Sequence, residues 1–202
     1  RRVAAELGYL YVDSGSLYRA VAWQALQDGV SGNDTGGVIR SMQGLDMQFF
    51  VADGGVKFRV NGRELTGEIR TEEVNRQVSP VAAVPEVRQQ VNTWLREMPR
   101  FGGLVMEGRD IGTVVFPDSP YKFYLDADPQ ERAMRRYREL VDAGESEKAE
   151  EVMESLKKRD KIDATRKTDP LVVAPGAQVI DSTSMTLEQV IQAVVATVKG
   201  ET

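Results

Sequence analysis

The stretch GYLYVDSGSLYRAVAWQALQDG, residues 8–29, changes its hydrophobic period once. Residues 9–12 are an apolar run of strand length, and Asp13-Ser14-Gly15 stops it. Beyond that stop, Leu17, Val21 and Ala25 recur every four residues, which puts them on one face of a helix that closes near Gly29. The order predicted is strand, polar loop, helix. In an open α/β sheet, ligands collect beyond the C-terminal ends of strands. The Asp13-Ser14-Gly15 loop and the first turn bearing Tyr18 and Arg19 therefore stand in the right place for binding. The alternative is that Ser14 or Ser16 simply caps the helix.

The same alternation continues outward. Leu104-Val105-Met106 reads as a strand ending in Glu107-Gly108-Arg109-Asp110, and residues 121–125 form another that runs into Asp126-Ala127-Asp128-Pro129-Gln130-Glu131. Here Asp128 as N-cap, Pro129 as the first helical residue and Glu131 three positions past the cap resemble a capping box. The helix they open carries Arg132, Arg135, Arg136 and Arg138. A strand near 178–180 and a final helix, with Leu187, Val190, Ile191, Val194, Val195 and Val198 on one face, complete the frame. Strands alternating with helices predict an α/β fold with a doubly wound, mostly parallel sheet.

Two segments depart from that alternation. Residues 47–51 and 56–60 flank Ala52-Asp53-Gly54-Gly55 and are followed by Asn61-Gly62, so residues 41–80 are expected to form an inserted small antiparallel-sheet subdomain. A helix opening at Pro85 then carries Val87, Val91, Trp94, Leu95 and Met98. Residues 145–167 lack an apolar stripe, which suits a helical flap. Within them, residues 157–167 hold six cations (Lys157, Lys158, Arg159, Lys161, Arg166, Lys167) against Asp160 and Asp163. That run reads either as a solvated helix face or as a clamp for a small anion. At the other end, Arg1 to Leu7 reads as the last two turns of a helix closed by Gly8, so further residues are expected before Arg1.

Composition narrows the chemistry. The chain has 202 residues, 41% of them hydrophobic and 28% charged, which suits one α/β domain. It contains no Cys and no His. Thiol nucleophiles, Ser-His-Asp triads and zinc sites of the usual ligand types are thereby excluded. A net charge of −5 argues against general nucleic-acid binding. No run approaches the roughly 20 apolar residues of a membrane span, and no signal peptide opens the chain. A cytoplasmic monomer is the expectation.

Polar residues gather at three strand ends: Asp13, Ser14 and Arg19; Glu107, Arg109 and Asp110; Asp126 and Asp128. Arg109-Asp110 taken alone reads as a structural ion pair. With three such loops on one sheet edge and a cationic flap, the pattern points to a phosphorylated ligand, whose oxygens arginine holds in a fork. Phosphoryl transfer to an oxygen that is already anionic needs no histidine base; positioning and cations carry it.

The motifs DSGSLYR (13–19), EGRDIGT (107–113), RDxxDxxRxxxPL (159–171) and VIDST (179–183) together resemble the bacterial cytidylate kinase family, the CMP/dCMP kinases, over essentially the whole chain. The resemblance implies the P-loop nucleoside monophosphate kinase fold as one domain over 1–202, with 41–80 as the monophosphate-binding insertion and 145–171 as a lid. It implies ATP with Mg2+ as phosphoryl donor and CMP or dCMP as acceptor. Arg19, Arg109 and Arg159 would hold the acceptor phosphate, with Ser14 and Tyr18 lining the pocket. Arg109, Arg159 and Arg166 would be catalytic, Arg166 reaching the transferring phosphate with Lys158 or Lys161 as the lid closes. Asp110 would accept the exocyclic amino group that cytosine has and uracil lacks. Ser79 and Arg88 would bond the base, and Asp163 the sugar hydroxyls. Two of these keep plainer readings: Ser79, before Pro80, as a turn cap, and Arg88 as a solvated helix residue.

The family opens with a strand and a GxxxxGKS/T loop that cradles the donor phosphates. No Gly-Lys dipeptide occurs here. Donor-phosphate and metal ligands are therefore unassigned, and the loop is expected among roughly twenty residues preceding Arg1. The competing functions are a kinase for another monophosphate such as UMP and a catalytically silent nucleotide-binding module.

Overall fold

The computed structural model describes residues 1–142, 144 and 148–200, so positions 145–147 of the expected lid and 201–202 of the expected domain lie outside the described residues. Helix α1 (Arg2–Leu7) ends on Gly8, whose φ of +67° is the left-handed turn that favours glycine. Strand β1 (Leu10–Asp13) leads directly into helix α2 (Ser14–Gln27). Neither serine caps that helix. Asp13 does, accepting from the Ser16 amide at 3.2 Å. Ser14 is turned inward instead and donates to the Glu107 carbonyl at 2.7 Å.

Helix α3 (Thr35–Gln43) precedes a hairpin of β2 (Met47–Ala52) and β3 (Gly55–Val60). Its two turn residues, Asp53 and Gly54, have φ of +48° and +70°, the positive pair that a tight hairpin turn demands. Asn61 and Gly62 make the second turn, to the short β4 (Arg63–Glu64). The antiparallel strands extend the parallel sheet: Tyr11 of β1 pairs with Gly55 of β3. A Cβ at Gly55 would stand 2.8 Å from the Tyr11 carbonyl oxygen, so only glycine allows the two strands to meet there. Helices α4 (Glu72–Ala83) and α5 (Pro85–Glu97) follow. Residue 41 lies in α3 and residue 80 in α4. Ser79 is therefore helical, and the turn-cap reading of it falls.

Strand β5 (Leu104–Glu107) pairs in parallel with β1 from Leu10↔Leu104 to Asp13↔Glu107. This register sets the two polar strand ends side by side. The sheet order is β2-β3-β1-β5, with β4 on β3. A second parallel pair, β6 (Phe123–Asp126) and β7 (Gln178–Asp181), aligns Asp126 with Asp181. Helices α6 (Pro129–Asp142), α7 (Ala149–Thr165) and α8 (Leu187–Lys199) complete an α/β fold whose sheet is mostly parallel. At α6, Asp128 caps the amides of Gln130 and Glu131, at 2.8 and 3.3 Å. Glu131 does not return the bond; its carboxylate takes Arg135 at 3.0 Å, and the Asp128 amide donates to the Thr183 hydroxyl at 2.8 Å.

The core sits against α2. Leu17, Ala20, Val21, Ala22 and Ala25 are all at most 1% exposed and pack with Val38, Val74, Val81, Val87, Val91 and Leu95 from α3, α4 and α5. Each fully buried Leu or Val contributes about 1.5–3 kcal/mol, so α2 anchors β1 and the start of the polar loop. A cleft of about 1650 Å³ runs from these strand ends down between β5 and β6, where Leu104, Met106, Phe123 and Leu125 line it.

Candidate active site

Ten of the residues that the sequence nominated line this cleft: Ser14, Tyr18, Arg19, Ser79, Arg88, Arg109, Asp110, Arg159, Asp163 and Arg166. Lys158 and Lys161 do not; both are exposed on α7. The close approach at the strand ends rests on one glycine. A Cβ at Gly108 would collide with Ser14 Oγ and stand 2.8 Å from Ile111 Cδ1.

Arg109 and Asp110 do not pair with each other. The strand ends at Glu107, and the chain bends through residues 108–110, with Asp110 at φ −133° and ψ 20°. Arg109 reaches across to α7, with its Nε 3.3 Å from Asp163 Oδ2 and its Nη1 3.8 Å from Asp160. Asp110 turns inward to Arg88. Arg88 is no solvated helix residue, being 1% exposed. Its Nη2 meets Asp110 Oδ2, its Nε lies 2.8 Å from Asp169 Oδ2, and its Nη1 donates to the Ala82 carbonyl at 3.1 Å. Burial pulls the Arg88 pKa down, but Tyr18, Asp110 and Asp169 outweigh it and leave the guanidinium above its ordinary value.

Arg166 caps the C-terminal end of α7. It reaches Asp163 Oδ1 at 3.3 Å, Asp110 Oδ1 at 3.9 Å and the Asp169 carbonyl at 2.7 Å. Arg19 is held by Asn75 at 2.5 Å and by the Ile69 carbonyl at 3.3 Å. The cations crowd one another. Burial, with Arg159 and Arg70 nearby, pushes Arg19 down to about 10. Burial and Arg109 lower Arg159; burial and Arg88 lower Arg166. An anion among these guanidinium groups would relieve their mutual repulsion.

Three buried polar atoms of the cleft lack a hydrogen-bond partner among the described residues: Tyr18 Oη, Asp163 Oδ2 and Arg166 Nη2. Asp163 Oδ2 lies within ion-pair range of Arg109 and Arg159 yet accepts no hydrogen bond. Buried polar groups are rarely left so, and such atoms are available to bond a ligand. Burial also raises the Tyr18 pKa, keeping its hydroxyl a neutral donor.

Several groups in or beside the cleft had no role in the sequence reading. Arg70 binds Asp13 at 2.8 Å, Arg132 of α6 binds Asp160 at 2.5 Å, and Arg136 lines the same wall. The signal for the last two was the i, i+4 spacing of arginines on α6, which brings both onto one face. Asp169 had no sequence signal. Asp128 is spent on its cap, whereas Asp126 lines the cleft. Among the described residues no group of three Asp, Glu, His or Cys side chains could hold a metal ion.

Such a cleft, cationic on one wall and with a buried carboxylate at its floor, can hold a phosphate together with a polar ring. The cytidylate kinase family model matches residues 1–200 of this chain. The chain is 42% identical to the cytidylate kinase of Geobacter sp. (strain M21), over 98% of its own length and 84% of that protein's. It is 42% identical to that of Pelotomaculum thermopropionicum, over 99% and 89%, and 41% identical to that of Pasteurella multocida, over 94% and 83%. With the motif-bearing residues gathered in one cleft and matches running nearly end to end, the chain belongs to the cytidylate kinase family.

Proposed function

We propose that this protein transfers the terminal phosphoryl group of ATP to CMP or dCMP, and that the cleft residues divide the work as follows. Arg19, Arg109 and Arg159 hold the acceptor phosphate, with Ser14 and Tyr18 beside it. Asp110 accepts the cytosine amino group, and Ser79 and Arg88 bond the base. Asp163 takes the sugar hydroxyls. A phosphate oxygen of CMP attacks the γ-phosphorus, its new P–O bond forms as the bond to the β,γ-bridging oxygen breaks, and ADP leaves. That oxygen is already anionic, so no general base is required. Arg109, Arg159 and Arg166 neutralise charge on the transferring group. Residues 41–80 serve as the monophosphate-binding part and 145–171 as the lid that brings Arg159 and Arg166 to the phosphates.

Mg2+ belongs to this proposal as the counter-ion that arrives on ATP and neutralises its phosphates. The cleft carboxylates are already engaged, Asp13 by Arg70 and Glu107 by the Tyr11 hydroxyl, which speaks against a protein-built metal cage. No step is assigned to the ion. The working form is a cytoplasmic monomer with small-molecule partners only; no described helix is long and apolar enough to cross a membrane.

The observation that carries the reading is the crowding of Arg19, Arg109 and Arg159 on one wall, with Asp110 buried beside them. The test is chromatographic product formation from Mg-ATP with CMP, dCMP, UMP and AMP supplied in parallel. Selective CDP or dCDP is expected. Equal use of UMP, or no turnover on any acceptor, would overturn it.

A further inference from the structure

We propose that Asp169, a residue outside the substrate cleft, is a positioning residue that sets cytosine preference by fixing how Arg88 shares Asp110. This rests on the proposed role of Asp110 as acceptor for the base. A buried guanidinium must satisfy all of its edges, and it can pair with a carboxylate either through one nitrogen or through two as a fork. Here Asp169 Oδ2 takes Nε at 2.8 Å and the Ala82 carbonyl takes Nη1 at 3.1 Å. With Nε taken, the Nε–Nη2 fork is closed to Asp110, which meets Nη2 through Oδ2. Asp110 Oδ1 consequently accepts no hydrogen bond from Arg88, and Arg166 Nη2 stands 3.9 Å from it. That oxygen is free to take an amino group.

Without the Asp169 carboxylate, the Nε edge of a fully buried cation loses its partner. Asp110 is then the one remaining carboxylate on Arg88, and fork-to-fork pairing occupies both of its oxygens. A base amino donor would have to displace a buried ion pair to bind. Uracil, which offers no such donor, would lose little.

The backbone supports the assignment. Asp169 sits just beyond α7 with φ of +49°, a left-handed conformation that favours glycine and is tolerated by Asn and Asp. Its carbonyl accepts from Arg166 Nε at 2.7 Å while its carboxylate takes Arg88, so one residue joins two buried arginines from different parts of the fold. Asn92 Nδ2, 3.4 Å from the same carboxylate oxygen, steadies it.

The test is calorimetric binding of CMP and of UMP to the wild-type protein, Asp169→Gly and Asp169→Asn. Glycine keeps the left-handed backbone and removes the acceptor; asparagine keeps both an acceptor and the backbone. Asp169→Gly is expected to weaken CMP binding about tenfold, as loss of one discriminating bond does, with UMP binding little changed. Asp169→Asn is expected to restore most of the preference for CMP. Equal weakening of both nucleotides, an unchanged ratio in Asp169→Gly, or no rescue by asparagine would overturn the role of Asp169 while leaving the cytidylate reading intact. A wild-type protein that binds CMP no better than UMP would overturn both.

Discussion

Arg88 of α5 and Asp110 beyond β5, 22 positions apart, form an ion pair whose side chains are 1% and 5% exposed. Burying two charges costs several kcal/mol per ion before their attraction returns it, so such a pair seldom exists for stability alone. Its place in the lining of the cleft fits a role in recognition. Removing one partner strands the other. Asp110→Ala is expected to lower stability by about 3 kcal/mol, the lower part of the range for broken buried pairs because Asp169 still holds Arg88. Urea titration measures that loss. In parallel kinetics the CMP-to-UMP ratio of kcat/KM should fall by more than total turnover; equal losses would remove Asp110 from base selection.

Arg19 is tethered by Asn75 and the Ile69 carbonyl with its charge crowded by Arg159 and Arg70. Arg19→Ala is expected to weaken CMP binding by about 1.5–3 kcal/mol, the range of a hydrogen bond to a charged group. Cytidine, which lacks the phosphate, should bind the variant and the wild type alike. A parallel loss for cytidine would mean that Arg19 shapes the pocket and does not grip the phosphate.

The same crowding predicts an anion effect. Inorganic phosphate should raise Tm more than chloride at equal ionic strength, because an anion bound only by the folded state stabilises it by mass action. Screening alone would make the two salts equivalent. In Arg19→Ala the difference between the salts should shrink, and thermal scans at matched ionic strength would show it.

Gly108 is exposed, yet a Cβ there would collide with Ser14 Oγ. Gly108→Ala must push Ser14 off the Glu107 carbonyl or shift the loop that carries Arg109 and Asp110. A rise in KM for CMP is expected, together with about 1 kcal/mol of lost stability for the broken hydrogen bond. Steady-state kinetics and urea titration check both; a variant unchanged in each would mean that the loop yields to the extra methyl group without cost.

α7 carries Arg159 and Asp163, and is joined to the rest of the cleft through Arg109–Asp163 and Arg132–Asp160 contacts at 3.3 and 2.5 Å. If it closes as a lid, CMP binding should slow amide exchange along residues 149–165 more than along α8. Equal protection of both helices, read by mass spectrometry, would count against a moving lid.

Much of the site was legible in order along the chain because phosphate chemistry leaves a local mark. DSGSLYR and EGRDIGT each join a strand end to a polar turn, and both carry an arginine. Capping was less legible. Asp13 takes the cap that either serine was expected to make, because Ser14 finds a better partner in a strand 93 positions away. Glu131 fails to close its capping box for a similar reason: Arg135, one turn on, competes for its carboxylate, and Thr183 supplies the missing acceptor. Pro80 also suggested a turn at Ser79, but the buried stripe of Val74, Val78 and Val81 keeps α4 helical through it.

Periodicity, turn residues and the absence of Cys and His were enough to determine the α/β frame, the hairpin and the class of chemistry, since each depends on neighbours within a few positions. Pairing was decided only by the folded chain. Adjacent Arg109 and Asp110 part company in the bend beyond β5, and their partners, Asp163 and Arg88, are brought in by α7 and α5. Charge is a property of a residue and can be read letter by letter. The ion pair it enters depends on which elements the core packs together, and here the buried face of α2 is what draws α4 and α5 up to the strand ends.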